Sequence, residues 1–150
     1  MFRVLTIVAL IGSGTTTGVL FGVAVSVVPA LLVMAPDNFV YTHQLLGRNW
    51  DPVMPAIVLG STAADVVLAV LADGTGQSTL YGAAAVLLFG VSVVSHLCNV
   101  PINRQIKAWR SGALPDDWQD PRPRWRNWHL LRTALAILAL TVNSLAVTLG

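Results

Sequence analysis

Residues 4–33 read VLTIVALIGSGTTTGVLFGVAVSVVPALLV, thirty consecutive positions without a charged side chain. A hydrocarbon core needs about 20 residues of apolar helix to be crossed, so this run spans a bilayer. Working outward, three more apolar runs follow, at about 53–72, 79–99 and 128–149. Asp73-Gly74-Thr75-Gly76-Gln77-Ser78 reads as a tight turn joining the second span to the third. The fold class expected is all-α: an integral membrane four-helix bundle, one domain over residues 1–150. Two appendages complete it. One is a short amphipathic interfacial helix after span one, Asp37 to Trp50, with Asp37 or Asn38 as its cap. The other is the segment 102–127, amphipathic at first (Ile102, Ile106 and Trp109 against Arg104, Lys107 and Arg110), then rich in Pro and Trp. This second segment reads as an interfacial helix followed by a folded cover.

Composition supports the same class. Of 150 residues, 55% are hydrophobic and 11% charged, whereas a soluble domain carries about 25% charged residues. Mean hydropathy is +0.69. The net charge of +2 comes from basic residues gathered at one end of the spans rather than from a nucleic-acid-binding face, and glutamate is absent. A single cysteine, Cys98, excludes an internal disulfide. Met1-Phe2-Arg3 resembles the start of a signal peptide, but a signal's apolar region is only about 7–15 residues long. The longer run is expected to remain as a span.

Four spans place both ends of the chain on one side, with Arg3 and Asp73. Arg48, Arg104, Lys107, Arg110, Arg122, Arg124 and Arg126 lie on the other, with Arg132 just inside span four. By the positive-inside rule, loops 34–52 and 100–128 are cytoplasmic and both termini lie outside the cell (inner or plasma) membrane. All five tryptophans, Trp50, Trp109, Trp118, Trp125 and Trp128, share the basic side. They read either as an interfacial belt or as walls of a pocket for an aromatic ligand. Gly14, Gly18 and Gly22 recur every four residues, a spacing that lets helices approach closely. Packing inside the bundle is the expectation, and contact between subunits of a homo-oligomer is the alternative.

The chemistry-bearing residues also collect on the basic side. His43 lies in the amphipathic segment, His96 at the end of span three, and His129 at the start of span four. His96, Asn99 and Asn103 are spaced three and four apart and so share a helical face, although Pro101 disturbs the helix between the last two. His129, Arg132 and Thr133 share another. Ionisable groups in a span face the bundle interior or a wet cavity. Three imidazoles in one mouth would make a metal site with an open position, suiting zinc, copper or iron; the plainer reading has them bonded to loop carbonyls. No compact metal motif is present. Asp51 reads as a cap for span two or a proton acceptor near His43, Cys98 as a packed thiol, and Met34 and Met54 as gap-fillers. Asp65, by contrast, falls deep within span two, level with Asn143 and with Thr15 to Thr17. A structural tie between Asp65 and Asn143 satisfies both groups, and a proton relay is the other reading.

Several stretches together resemble a known family. They are Phe21-Gly22-Val23-Ala24-Val25-Ser26-Val27-Val28-Pro29-Ala30-Leu31, His43-Gln44-Leu45-Leu46-Gly47-Arg48, and Asp51-Pro52-Val53-Met54-Pro55. His96-Leu97-Cys98-Asn99-Val100-Pro101-Ile102-Asn103 and Trp128-His129-Leu130-Leu131-Arg132-Thr133 follow in the same order. In this order they resemble the anthrone oxygenase-like family of small four-span membrane proteins (the DUF1772 domain). The resemblance implies oxidation of a small, often aromatic metabolite by dioxygen, with the lipid bilayer as surroundings and no nucleic-acid partner. The sequence itself locates the site at His43, His96, His129, Asn99, Asn103 and Arg132. Two chemistries fit. In one, a histidine deprotonates an acidic C–H while Arg132 with Asn99 or Asn103 holds the enolate. In the other, His43, His96 and His129 bind copper, or iron as second choice, to activate oxygen. Outside the enzyme class, two readings compete: a small transporter or assembly module centred on Asp65 and Asn143, and a haem- or quinone-binding electron carrier with paired histidines.

Overall fold

The computed structural model describes residues 1–115 and 117–149, apart from the side chains of Asn49, Asp51 and Pro52. The sequence reading of Asp51 therefore falls outside the described side chains. The chain is helical nearly throughout. Helix α1 (Phe2–Gly22) passes through a π-helical turn (Val23–Val27) into α2 (Val28–Val33), and α3 runs over Pro36–Leu71. Helix α4 (Thr75–Val94) passes through a second π turn (Ser95–Asn99) into α5 (Val100–Ala108), and α6 covers Arg122–Thr148. Four stretches are long and apolar enough to cross a membrane: Phe2–Val33, Val53–Leu71, Thr75–Ala108 and Arg122–Thr148. Helix α1 packs on α3 and α6, and α4 packs on the same two, which closes an up-and-down ring.

The two π turns share a cause. Each ends two residues before a proline, Pro29 or Pro101. A proline lacks the amide donor, and its ring collides with the carbonyl four residues back. The widened turn absorbs this, with the Val28 amide bonding to the Val23 carbonyl and the Val100 amide to that of Ser95. Pro101 therefore disturbs the helix, as expected, without ending it: the chain continues through the widened turn into α5.

The bundle agrees with the architecture read from the sequence and refines its details. The segment expected as a separate interfacial helix is the first part of α3, continuous with span two. Its 36 residues extend about 54 Å at about 1.5 Å per residue, so α3 projects well past its apolar window. Pro36, not Asp37 or Asn38, begins it, because a proline at the first helical position forfeits no hydrogen bond. Asp37 instead accepts the Gly112 amide through Oδ1 at 2.9 Å. Span four starts earlier than expected because Pro121 and Pro123 set up its first turn. The turn between spans two and three is shorter than read, with α4 resuming at Thr75.

Helices α1 and α3 approach closely near Gly12. A β-carbon at Gly12 would collide with the Ser61 hydroxyl, so α1 and α3 touch there through a glycine. Added β-carbons at Gly14, Gly18 and Gly22 meet nothing within 4 Å. This glycine face is thus unpartnered within the chain, contrary to the expectation of internal packing. At the other end the helices diverge around larger residues. Phe39, Ile106 and Trp125 form a core there with Val28, Leu31, Val40 and Ile102, and Met34 packs against it.

Trp109, Leu114 and Trp118, from the segment that follows α5, pack against that core. Trp109 and Trp118 meet edge to face, with centroids 6.1 Å apart. Gln44 donates to the carbonyls of Ile106 and Trp109, at 3.0 and 2.9 Å, satisfying the end of α5. Arg122 donates to the carbonyls of Leu31 and Met34 at 3.1 and 2.7 Å, satisfying the end of α2. Its guanidinium also lies over the Phe39 ring at 5.2 Å and pairs with Asp120 at 2.7 Å.

Candidate functional site

Where the helices diverge they enclose a cavity of about 750 Å³. Helices α1 and α2 contribute apolar side chains such as Leu20 and Val27, and α3 contributes His43, Trp50 and Met54. The α4–α5 stretch adds His96, Asn99 and Asn103, and α6 adds Trp125, His129 and Arg132. All six candidate residues named from the sequence therefore border one cavity. Their arrangement inside it differs from the expected one.

Trp125 organises the wall. It sits four residues before His129 on α6, and residues so spaced are neighbours on one helical face. The two rings stack with centroids 5.2 Å apart and planes 14° from parallel. His43 meets the Trp125 ring edge-on at 5.2 Å and Phe39 at 5.6 Å. Both asparagines hold Trp125 in place. The indole N–H donates to Asn103 Oδ1 at 3.0 Å, and Asn99 Nδ2 donates to the Trp125 carbonyl at 3.3 Å. The sequence reading gave these amides to the substrate, whereas the structure commits Asn99 Nδ2 and Asn103 Oδ1 to the tryptophan. The i, i+4 spacing of Trp125 and His129 was visible in the sequence and could have signalled the stack.

His129 is fully buried, and both of its ring nitrogens are engaged. Nε2 lies 3.0 Å from the Leu20 carbonyl oxygen. A carbonyl only accepts, so Nε2 carries the proton. Nδ1 receives Arg132 Nε at 3.2 Å and Nη2 at 2.8 Å, so Nδ1 presents its lone pair. Only the neutral tautomer protonated at Nε2 satisfies both contacts. Arg132 Nη1 donates to Ser95 Oγ at 3.3 Å. The guanidinium is thereby fixed from the second π turn and α6 together, on the cavity wall.

Among the described residues no three His, Cys, Asp or Glu side chains come together as metal ligands. The Trp125 ring contacts His43 and His129 both, and His96 is exposed at the cavity rim. The His129 lone pair is taken by a cation, beside which a metal ion would meet like charge. The copper or iron site expected at His43, His96 and His129 is not assembled by this geometry.

A second polar cluster lies deeper, between α1, α3 and α6. Asn143 Nδ2 donates to Asp65 Oδ2 at 3.1 Å and reaches Ser13 Oγ at 3.5 Å. Asp65, Asn143, Ser13 and Thr16 are all fully buried, and none of them lines the cavity. This is the structural tie read from the matching depths of Asp65 and Asn143.

The fold and the site together define a class: a four-span helical membrane protein whose buried polar wall faces an apolar cavity at one end. Residues 43–142, two thirds of the chain, match the anthrone oxygenase family model. The chain belongs to the anthrone oxygenase family. The match opens at His43 and takes in every candidate site residue. No curated protein and no solved structure matches the chain.

Proposed function

We propose that this protein is a cofactor-free oxygenase that uses dioxygen to oxidise a small planar aromatic substrate with an acidic C–H, of the anthrone type. One observation carries the reading: a guanidinium held by a neutral histidine shares an apolar cavity with a second histidine and two tryptophans. Trp50 and Trp125 offer flat apolar surfaces to an aromatic body. His43 is the general base and takes one proton from the substrate methylene. The electron pair left behind delocalises onto the substrate oxygen, where the Arg132 guanidinium stabilises the negative charge. His129 acts as a positioning residue, because its lone pair is committed to Arg132.

The anion then gives one electron to dioxygen, and the two radicals combine into a carbon–oxygen bond. The peroxide anion takes back the proton held by His43, and the resulting hydroperoxide loses water as its remaining C–H proton departs, leaving a carbonyl. The methylene carbon is oxidised by four electrons and dioxygen is reduced by four: CH2 plus O2 gives C=O plus H2O. One oxygen atom stays in the product and the other leaves as water.

The same reading assigns the cavity mouth to the cytoplasmic face of the cell membrane, because the basic residues gather there. The test is turnover of anthrone to anthraquinone by purified protein under ¹⁸O₂, measured against the spontaneous reaction. One labelled atom in the product, at a rate well above background, is the expected result. A rate equal to background overturns the reading.

A further inference from the structure

The cavity borders include residues that a sealed pocket would not have. Leu59 on α3 is 53% exposed and Phe89 on α4 is 57% exposed, yet both line the cavity. Leu59 lies six residues inside the Val53–Leu71 window, about 9 Å deep at about 1.5 Å per residue. At that depth the surroundings are acyl chains. The exposed sides of Leu59 and Phe89 therefore face lipid while the same side chains border the cavity. Leu97, 69% exposed on the second π turn, continues the margin. These residues, exposed to lipid and bordering the cavity at once, mark a side opening in the membrane between α3 and α4.

The inner end of the opening carries the opposite character. Arg104 and Lys107, on α5 just beyond the π turn, line the cavity with Arg132. An apolar slot that ends in three cations fits one kind of occupant, an amphiphile with a flat or extended apolar body and a single anionic group. We infer that the substrate reaches the site sideways from the bilayer, between α3 and α4, as a membrane-dissolved aromatic acid or phenolate whose charge is read by Arg104 and Lys107. This rests on the oxygenase reading for the word substrate, but the route and the charge preference are tested separately from it.

The probe is 9-anthroate, with neutral 9-anthracenemethanol as its partner, added to the full chain in lipid nanodiscs. Energy transfer from tryptophan to the anthracene ring reports binding by stopped flow. A bulky maleimide is attached to Leu59→Cys or Phe89→Cys in a Cys98→Ser background. The control is Val70→Cys, 80% exposed on α3 away from the cavity. Labelling at Leu59→Cys or Phe89→Cys is expected to slow association about tenfold or more, and labelling at Val70→Cys not at all. Equal rates in all three overturn the lateral route.

The double variant Arg104→Gln/Lys107→Gln is expected to weaken 9-anthroate about tenfold, the scale of one lost charge-assisted contact, and to leave the neutral probe unchanged. Equal effects on both probes, or none, overturn the charge preference. Absence of binding in nanodiscs, with binding in detergent, assigns the slot to a lipid tail and overturns the proposal. Anthrone turnover separates the two readings. Normal turnover with a labelled opening sinks the route alone, and 9-anthroate binding by this route with anthrone turnover at the background rate sinks the oxygenase alone.

Discussion

The bundle holds two polar clusters, one around Trp125, His129 and Arg132, the other around Asp65 and Asn143. Both contain a charged group, an asparagine and hydroxyl side chains inside an apolar bundle. They differ in the backbone around them. Near Asp65 the helices meet through small residues: Gly12 against Ser61, with Ala9, Ala64 and Ala146 fully or nearly fully buried. Around Arg132 two proline-linked π turns and several large aromatics hold the helices apart, and a cavity of about 750 Å³ results. Helix spacing, rather than polarity, separates a fastener from a site.

That contrast can be broken by experiment, starting where the effect is greatest. Arg132→Gln is expected to lower kcat by about 100-fold or more, the cost of one lost anion-stabilising group. Arg132→Lys should recover little, because an ammonium cannot reproduce the forked contact with His129 and Ser95. Circular dichroism and gel filtration should match those of the parent. Gly12→Val comes next, at about 1–3 kcal/mol of lost stability from overpacking, read as a lowered unfolding temperature in detergent. Gly18→Val should leave that temperature unchanged; a change in cross-linked species would point to the Gly14–Gly18–Gly22 face as a contact between copies.

Asp65→Ala should cost about 1–2 kcal/mol, the scale of an interhelical hydrogen bond in a membrane, while kcat stays within about twofold. Loss of turnover in a folded Asp65→Ala protein would erase the distinction between the clusters and restore the module centred on Asp65. Asp120→Asn is smaller still. Burial pushes the Asp120 carboxyl up, but hydrogen bonds and charge from Arg122 outweigh this and hold it below its ordinary value. Its contribution is therefore complete above the ordinary carboxylate range and is lost as pH falls through the lowered value. The expected cost of Asp120→Asn near neutrality is less than about 1 kcal/mol, vanishing in acid, as unfolding temperatures across pH will show. The smallest effect is none at all: copper or iron chelators should leave turnover unchanged. Near-stoichiometric metal that disappears in His43→Ala would reverse that conclusion.

The sequence carried the architecture because hydropathy at membrane scale is additive, and residues 4–33 alone announce a span. Asp65 and Asn143 were paired by depth, since a helix advances uniformly along its axis. The membership of the cavity was legible too, because His43, His96 and His129 all fall at one end of their spans. The order of side chains inside the cavity was hidden by rotation. A π turn adds one residue, and the spacing that put His96, Asn99 and Asn103 on one face ceased to hold. His96 is exposed while Asn99 is buried. The Trp125 ring then lodged between two of the histidines, stacked on His129 and edge-on to His43. The glycine spacing misled for a related reason: periodicity marks a face but does not say what covers it.

Arg122 ties the first span to the last. Its guanidinium meets the carbonyls of Leu31 and Met34, groups that a helix end leaves without partners. During synthesis those carbonyls emerge roughly ninety residues before the arginine that serves them, at a sequence separation of 91 for Leu31. The first span therefore waits for the fourth before its far end is finished. A chain arrested before Arg122 carries three complete crossings and an unfinished joint, with two carbonyls still seeking a donor.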